Sequence, residues 1–519
     1  MKATILLALV TSAAPVVAAP ELFGGLAPGP HAVGFRQIER LDHARPYYTP
    51  RKLDGRPREG EHARPIRISV WYPAQPGAGT PLTVGDYARL MGVEDRLGPV
   101  TPERAKIGEA AFFAFPLLRD LEAGQRKRLL ALPGIARRDA QPARGKFPVV
   151  LYSLGSAATG NVTPELLASH GYIVAQAPRL GVYAGLPPDG RDLVDDLSKL
   201  ADLDQVVNAL AAVPEADVTN MAAIGFSAGG VWALQTAMRN AHVRAVVSLD
   251  TIMLFDDPFG RIWRQAPQFN VQAVRIPVMH LIRKEWVPRE NAGHWQALVR
   301  ADRLSLRFDD PALDHLDFQS SGFAQTLVGG RPDKAKAVRA TFDLWNRYTL
   351  AFLDAHLRDQ ESARRFLART PEENGAAPGT VVATRLPAER PLPITGAEFF
   401  NAIADAGSAE AVAAVRRLAA TAGRPQLAEL DLVQAGYSLL LSGHEKDSVP
   451  IFELLVELYP ASANASDSLA DACLAVGDRE RARAFTDKAK TLLDADKEMP
   501  AERRANIQKS IDDKRAQLK

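Results

Sequence analysis

The 519-residue sequence predicts an α/β fold over most of its length, a mostly parallel sheet with helices on both faces, followed by an all-α domain. Three observations carry this. From about residue 30 to 355, short apolar runs rich in β-branched residues alternate with longer amphipathic stretches, the pattern of successive βαβ units. Most of the strand-like runs are apolar along their whole length, as strands covered on both faces should be. Beyond a polar stretch containing proline and glycine at about 368–395, the chain reads as helical.

In chain order, the strands are RISVWYPA (67–74), FPVVLYSL (147–154), GYIVAQAP (171–178), MAAIGF (221–226), VRAVVSLD (243–250) and PVMHLI (277–282). Helices are expected where apolar residues recur at helical spacing: DLVDDLSKLADLDQVVNALAAV (192–213), VWALQTAMRN (231–240) and a closing helix over 331–357. Two segments interrupt the alternation, 75–145 and 251–275. The first carries FFAFPLL (112–118), which reads equally as an apolar wall over the mouth of the sheet or as extra scaffold packing. The expected domains are 19–365 and 396–519, with 366–395 as the linker.

The first eighteen residues have the form of an export signal. Lys2 supplies the positive start, ILLALV (5–10) begins the apolar core, and Val16-Val17-Ala18 offers small residues for cleavage. Thr11, Ser12 and Pro15 break the run, which is short of the ~20 residues a retained membrane span needs. A periplasmic or secreted protein without an integral span is therefore expected. The only cysteine, Cys473, rules out an intrachain disulfide, and its helix-packing position suits a small buried hydrophobe. Hydrophobic residues make up 46% and charged residues 24%, a globular composition. The 63 basic residues nearly cancel the 61 acidic ones, so no single-sign field draws the chain to nucleic acid or anionic lipid. A small or neutral substrate fits better. No metal-ligand spacing occurs, and neither metal nor cofactor is expected.

The strongest local signal is AIGFSAGG (223–230), a G-x-S-x-G between an apolar strand and a helix. In that context the motif is the nucleophile elbow of the α/β-hydrolase fold, and Ser227 is the candidate nucleophile. Gly225 and Gly229 lack the Cβ atoms that would collide in so sharp a turn. Ser227 stands at the carboxyl end of the sheet, where ligands bind in open α/β folds, with a helix N-terminus behind it.

A serine hydroxyl needs a base to take its proton and an acid to hold that base in the right tautomer. In this fold the order along the chain is serine, acid, histidine. Five histidines follow Ser227. His280 falls in a strand, His356 near the end of the closing helix and His444 in the C-terminal domain, which leaves His294 and His315. His315, in the turn-rich DPALDHLDFQSSG, lies where the fold delivers its base. Asp250, Asp256, Asp257 and Glu285 all lie between nucleophile and base; Asp250 and Glu285 end successive strands, and topology permits either. Asp256 and Asp257 read as turn or cap residues before Pro258. For the oxyanion, the fold uses the N–H after the nucleophile, here Ala228, and a second from SLGSAATG (153–160), with Gly155 and Ser156 as candidates.

HAVGFRQIE from residue 31, RPIRISVWYPA (64–74), FPVVLYSLG, ASHGYIVAQAP, GFSAGG, VVSLD and HLDF together resemble the platelet-activating-factor acetylhydrolase group, neighbours of the dienelactone hydrolases. The resemblance covers roughly residues 28–357 and implies a cofactor-free hydrolase of short acyl esters. It also implies Asp250 as the acid, His315 as the base and the Ser156 N–H as the second oxyanion donor. The sequence departs from the group at the oxyanion loop, where Leu154-Gly155-Ser156-Ala157 replaces the usual His-Gly-Leu-Gly, so phospholipid specificity does not carry over.

The C-terminal part resembles tetratricopeptide repeats. Gly443 and Gly477 are 34 residues apart, the period of that repeat. Gly436 and Ala470 share a small-residue position, Ala482 takes another, Leu455 and Ala489 share a packing position, and Pro460 closes a unit. Residues 396–428 are expected to supply a degenerate helical pair. Such repeats commonly bind a peptide or protein; packing on the catalytic domain or self-association serves equally.

The sequence thus predicts an exported ester hydrolase working through a Ser227-His315-Asp250 triad and an acyl-enzyme on a small ester. A peptidase or amidase with the same triad is the alternative, because the triad does not itself choose ester over amide. A repeat-based binding module with a weakly active scaffold is the alternative of another class.

Overall fold

The strands are β1 (Ala32–Pro46), β2 (Ala63–Ala74), β3 (Ala136–Arg138), β4 (Phe147–Ser153), β5 (Ile173–Gln176), β6 (Ala216–Phe226), β7 (Val243–Leu249), β8 (Val278–Arg283), β9 (Arg303–Phe308) and β10 (Val381–Leu386). In a computed structural model they form one sheet in the order β10-β9-β8-β7-β6-β4-β5-β2-β1-β3. The structure describes residues 19–519 except 78, 154, 187–191, 390–394 and 423–426, so the expected export signal lies outside the described residues. The central strands β5, β4, β6, β7, β8 and β9 are parallel, and antiparallel pairs at β5·β2, β2·β1 and β9·β10 extend both sides.

Alternation along each strand sends neighbouring side chains to opposite faces. Val150, Tyr152, Ile224, Val247 and Leu281 enter the core on one face, while Val149, Leu151, Ala223 and Val246 enter the core on the other. Helices close both faces: α1 (Val84–Leu90), α2 (Pro102–Phe113), α3 (Ala123–Ala131), α4 (Val162–Ser169), α5 (Leu193–Ala211), α6 (Gly229–Arg239), α7 (Pro258–Ile262), α8 (Ala292–Ala297), α9 (Ser320–Leu327), α10 (Ala335–Leu357) and α11 (Glu361–Ala368).

The interrupting segment 75–145 is stitched down by buried polar groups. Glu165 of α4 accepts from the N–H of Ile135 (2.5 Å) and Ala136 (3.2 Å) and from the Tyr87 hydroxyl (2.9 Å). Burial raises its carboxyl above the usual range, and those donors oppose the shift. Arg67 of β2 donates to the carbonyls of Val93 (3.1 Å) and Gly98 (2.7 Å). Phe112 and Leu118 are buried in the core, with Phe113 and Phe115 packed against it, so this stretch does scaffold work.

One boundary differs from the sequence reading. Residues 366–395 were expected as a linker, yet β10 pairs antiparallel with all of β9, Val381 opposite Phe308 and Leu386 opposite Arg303. The first compact unit accordingly runs to Ala388. Only Val381 of β10 is fully buried, because an outermost strand has little apolar cover and keeps the polar composition of a linker.

The second unit, Glu389–Lys519, is helical among its described residues. Its helices are α12 (Gly396–Ala406), α13 (Ser408–Ala422), α14 (Glu429–Leu441), α15 (Glu445–Leu458), α16 (Ala463–Ala475), α17 (Arg479–Ala495) and α18 (Ala501–Leu518). The α14–α15 and α16–α17 connections turn at Gly443 and Gly477, at φ +85 and +82. A Cβ on Gly436 would come within 2.5 Å of the Phe452 ring, so glycine sets how closely α14 and α15 approach. Leu455, Ala470, Ala482 and Ala489 are fully buried, as is Cys473, whose thiol burial pushes upward. Among the described residues no helix is long and apolar enough to cross a membrane.

Candidate active site

β6 ends at Phe226 and α6 begins at Gly229, so Ser227 sits in a two-residue turn between strand and helix. Its φ is +54, a left-handed conformation that costs a non-glycine residue roughly 1 kcal/mol or more. The surrounding backbone enforces it. Ser227 N–H donates to the Leu249 carbonyl (3.2 Å), and its carbonyl accepts from Gly230 and Ile252 (3.3 Å each). A Cβ on Gly225 would lie 2.1 Å from the Gly229 carbonyl oxygen, and one on Gly229 would lie 1.9 Å from that of Ser153. The residue types of the elbow are thus dictated by backbone contact, and the Ser227 side chain stays half-buried rather than sealed.

Asp250 follows β7, also left-handed (φ +45), and is wholly buried. Its carboxylate is fully used. Oδ1 accepts from the Arg283 backbone N–H (2.9 Å), and Oδ2 accepts from Arg283 Nε (2.8 Å) and lies 2.7 Å from His315 Nδ1. An ionised carboxylate can only accept, so Nδ1 carries the imidazole proton and Nε2 presents a lone pair. A buried charge is tolerated only when paired and hydrogen-bonded, and Arg283 supplies the pairing.

His315 begins a short helical turn, His315–Phe318, capped by Asp314, whose Oδ1 accepts from Leu316 N–H (3.1 Å). Asp317 closes the turn by accepting from Asp314 N–H (2.7 Å), and Arg331 grips Asp317 through two bonds of 2.7 and 2.9 Å. Phe226 and Trp286 stack on the imidazole at centroid distances of 4.4 and 4.3 Å, each tilted by 23°. Since Phe226 immediately precedes Ser227, this stacking places the imidazole against the residue that leads into the elbow.

The loop after β4 turns at Gly155 (φ +119). Ser156 Oγ donates to Glu94 Oε1 (2.7 Å) and accepts from Ala158 N–H (3.2 Å). Among the described residues, neither the Ser156 nor the Ala228 N–H is spent on a backbone bond. Leu154 lies outside the described residues. Burial pushes the Glu94 carboxyl up to about 7, against the Ser156 hydrogen bond and the charge of Lys199. Burial also depresses Lys199 to about 8, and its ammonium donates to the carbonyls of Ala177 (2.8 Å) and Pro178 (2.9 Å).

The remaining candidates fall elsewhere. Glu285 is exposed. Asp257 caps α7 by accepting from Gly260 N–H (3.1 Å), and Asp256 lies 3.6 Å from His294. His280 is buried between Ser248 (2.7 Å) and Glu290 (2.7 Å), and burial lowers His356 to about 4. Sequence reasoning missed Arg283, Trp286 and Glu94 as neighbours of the site. Arg283 ends the strand after Asp250 and could have been suspected on that ground, whereas nothing in the insertion singles out Glu94. Among the described residues no group of three His, Cys, Asp or Glu side chains is placed to hold a metal ion.

No protein-family model matches the chain. No curated protein matches it either. Among solved structures it is similar to a ferulic acid esterase from Streptomyces cinnamoneus, at 20% identity over 71% of this chain and 98% of that chain, with a TM-score of 0.48.

Proposed function

We propose that the chain is an exported serine hydrolase of small carboxylic esters. The observation that carries the reading is the 2.7 Å contact between His315 Nδ1 and buried Asp250, with His315 stacked on Phe226, the residue before half-buried, left-handed Ser227. That tautomer leaves Nε2 as the base. In the proposed reaction His315 takes the Ser227 proton as Oγ attacks the carbonyl carbon, and the Ser156 and Ala228 N–H groups receive the oxyanion. The C–O bond to the alcohol then breaks while His315-H⁺ returns the proton to the leaving oxygen. Water, deprotonated by His315, attacks the acyl-enzyme and frees the acid and Ser227.

Esters of short acids are proposed as the substrate class from the family resemblance and the balanced charge of the chain, 63 basic against 61 acidic residues. Export follows from the form of residues 1–18, and a peptide or protein is proposed as the ligand of the C-terminal helices. Nitrophenyl esters of increasing acyl length, assayed with purified protein, test the reading. It predicts turnover that falls as the acyl chain lengthens. Anilide turnover exceeding ester turnover would favour an amidase and sink the ester assignment.

A further inference from the structure

We infer that Phe226 and Trp286 form an aromatic clamp that fixes the His315 ring and favours its protonated state during acyl transfer, making Trp286 a positioning residue. This rests on the Ser227 reading above.

Both faces of the imidazole are covered, at 4.4 and 4.3 Å and with the same 23° tilt, and its Nδ1 edge is tied to Asp250 at 2.7 Å. The His315 side chain nevertheless keeps 22% of its surface exposed. Rotation about the Cβ–Cγ bond would drive the ring edge into one aromatic or the other, so Nε2 is aimed in one direction, and a base so aimed contributes through orientation.

The clamp also acts on charge. The faces of aromatic rings are negative, so they attract an imidazolium more than a neutral imidazole. During turnover the imidazolium forms as the Ser227 proton moves to His315, so this attraction grows toward the transition state and raises turnover rather than substrate affinity. The charged groups around His315 make such help useful. Asp250, from the end of β7, favours the imidazolium, as do Asp314 and Asp317 on its own turn. Arg283, from the end of β8, opposes it: its Nε shares the same Asp250 oxygen at 2.8 Å, and its guanidinium lies 5.2 Å over Trp286. Arg289 lies 5.6 Å over the same indole, and Arg331 neutralises Asp317. Arg283 and Arg289 therefore both lie against the indole that stacks on the ring that must become positive.

Trp286 is half-buried and on a surface turn, so it can be replaced without opening a core cavity, unlike Phe226, which is only 5% exposed. The test compares wild type, Trp286→Phe and Trp286→Leu in single-turnover acylation by p-nitrophenyl acetate across pH, after thermal melting has established that each is folded. The leucine variant should acylate about threefold to tenfold more slowly with little change in KM, and the acid limb of its kcat/KM profile should move to lower pH by about half a unit. Phenylalanine should restore most of both. Unchanged rate and profile in the leucine variant overturn the clamp, and so does an equal loss in both variants with an unmoved profile, which is simple packing. Failure of wild-type Ser227 to take a fluorophosphonate label overturns the underlying reading, and the clamp with it. A labelled wild type with an unaffected leucine variant overturns the clamp alone.

Discussion

At the scale of single residues, Asp250 is asked to do two things, because the carboxylate that orients His315 also neutralises buried Arg283. Asp250→Asn should therefore lose rate by about 10⁴, through the wrong imidazole tautomer. It should also lose about 3 kcal/mol of stability, because a buried guanidinium is left without its counter-charge. Chemical denaturation alongside kinetics checks both; a fully stable variant would mean that the Arg283 pairing contributes little. Glu285→Gln should change neither, since Glu285 is exposed. The sequence alone left Asp250 and Glu285 level, and the resemblance chose Asp250. The place of Arg283 at the end of the next strand hinted at its nearness, but the bond from its Nε to Asp250 leaves no pattern in spacing. The turn around Ser227 was legible for the opposite reason: the backbone contacts at Gly225 and Gly229 forbid any side chain, so steric necessity is written directly as glycine.

Among elements, the central strands were readable because burial on both faces leaves continuous apolar runs. β1, β9 and β10 were not read from their pattern. RLSLRF of β9 and VVATRL of β10 interleave polar residues at the side of the sheet, and β1 carries charges along much of its length. The loop after β4 depends on an element that the sequence left unexplained, since Glu94 of the 75–145 segment holds Ser156. The Glu94 carboxyl is raised to about 7 in the fold from an ordinary value of 4.5. A carboxyl raised by folding binds more protons folded than unfolded between those limits, so its contribution is fully present below about pH 4.5 and is lost as pH rises through about 7. Glu94→Gln keeps an acceptor for Ser156 and removes the titration. Between pH 5 and 8 the wild type should lose stability relative to this variant, by at most about 3 kcal/mol. Parallel curves over that range would remove the burial argument for Glu94.

For the whole molecule, the boundary matters more than composition suggested. Every group assigned to the reaction lies before Ala388, so a chain ending there should hydrolyse small esters at close to the full-length rate. A chain ending at 365 loses β10, uncovers the backbone edge of β9 and removes part of α11, and it should melt several degrees lower or aggregate. Equal melting temperatures for the two would restore 366–395 to a simple linker. Whether Ser227 is the nucleophile is read from the mass of the protein and its peptides after treatment with a fluorophosphonate. A single adduct should appear on the peptide holding AIGFSAGG, be absent from Ser227→Ala, and form far more slowly in His315→Ala, with Ser227→Ala keeping its melting temperature because the change opens no core cavity. An adduct on another serine, or undiminished labelling and ester turnover in Ser227→Ala, would exclude Ser227 as the nucleophile.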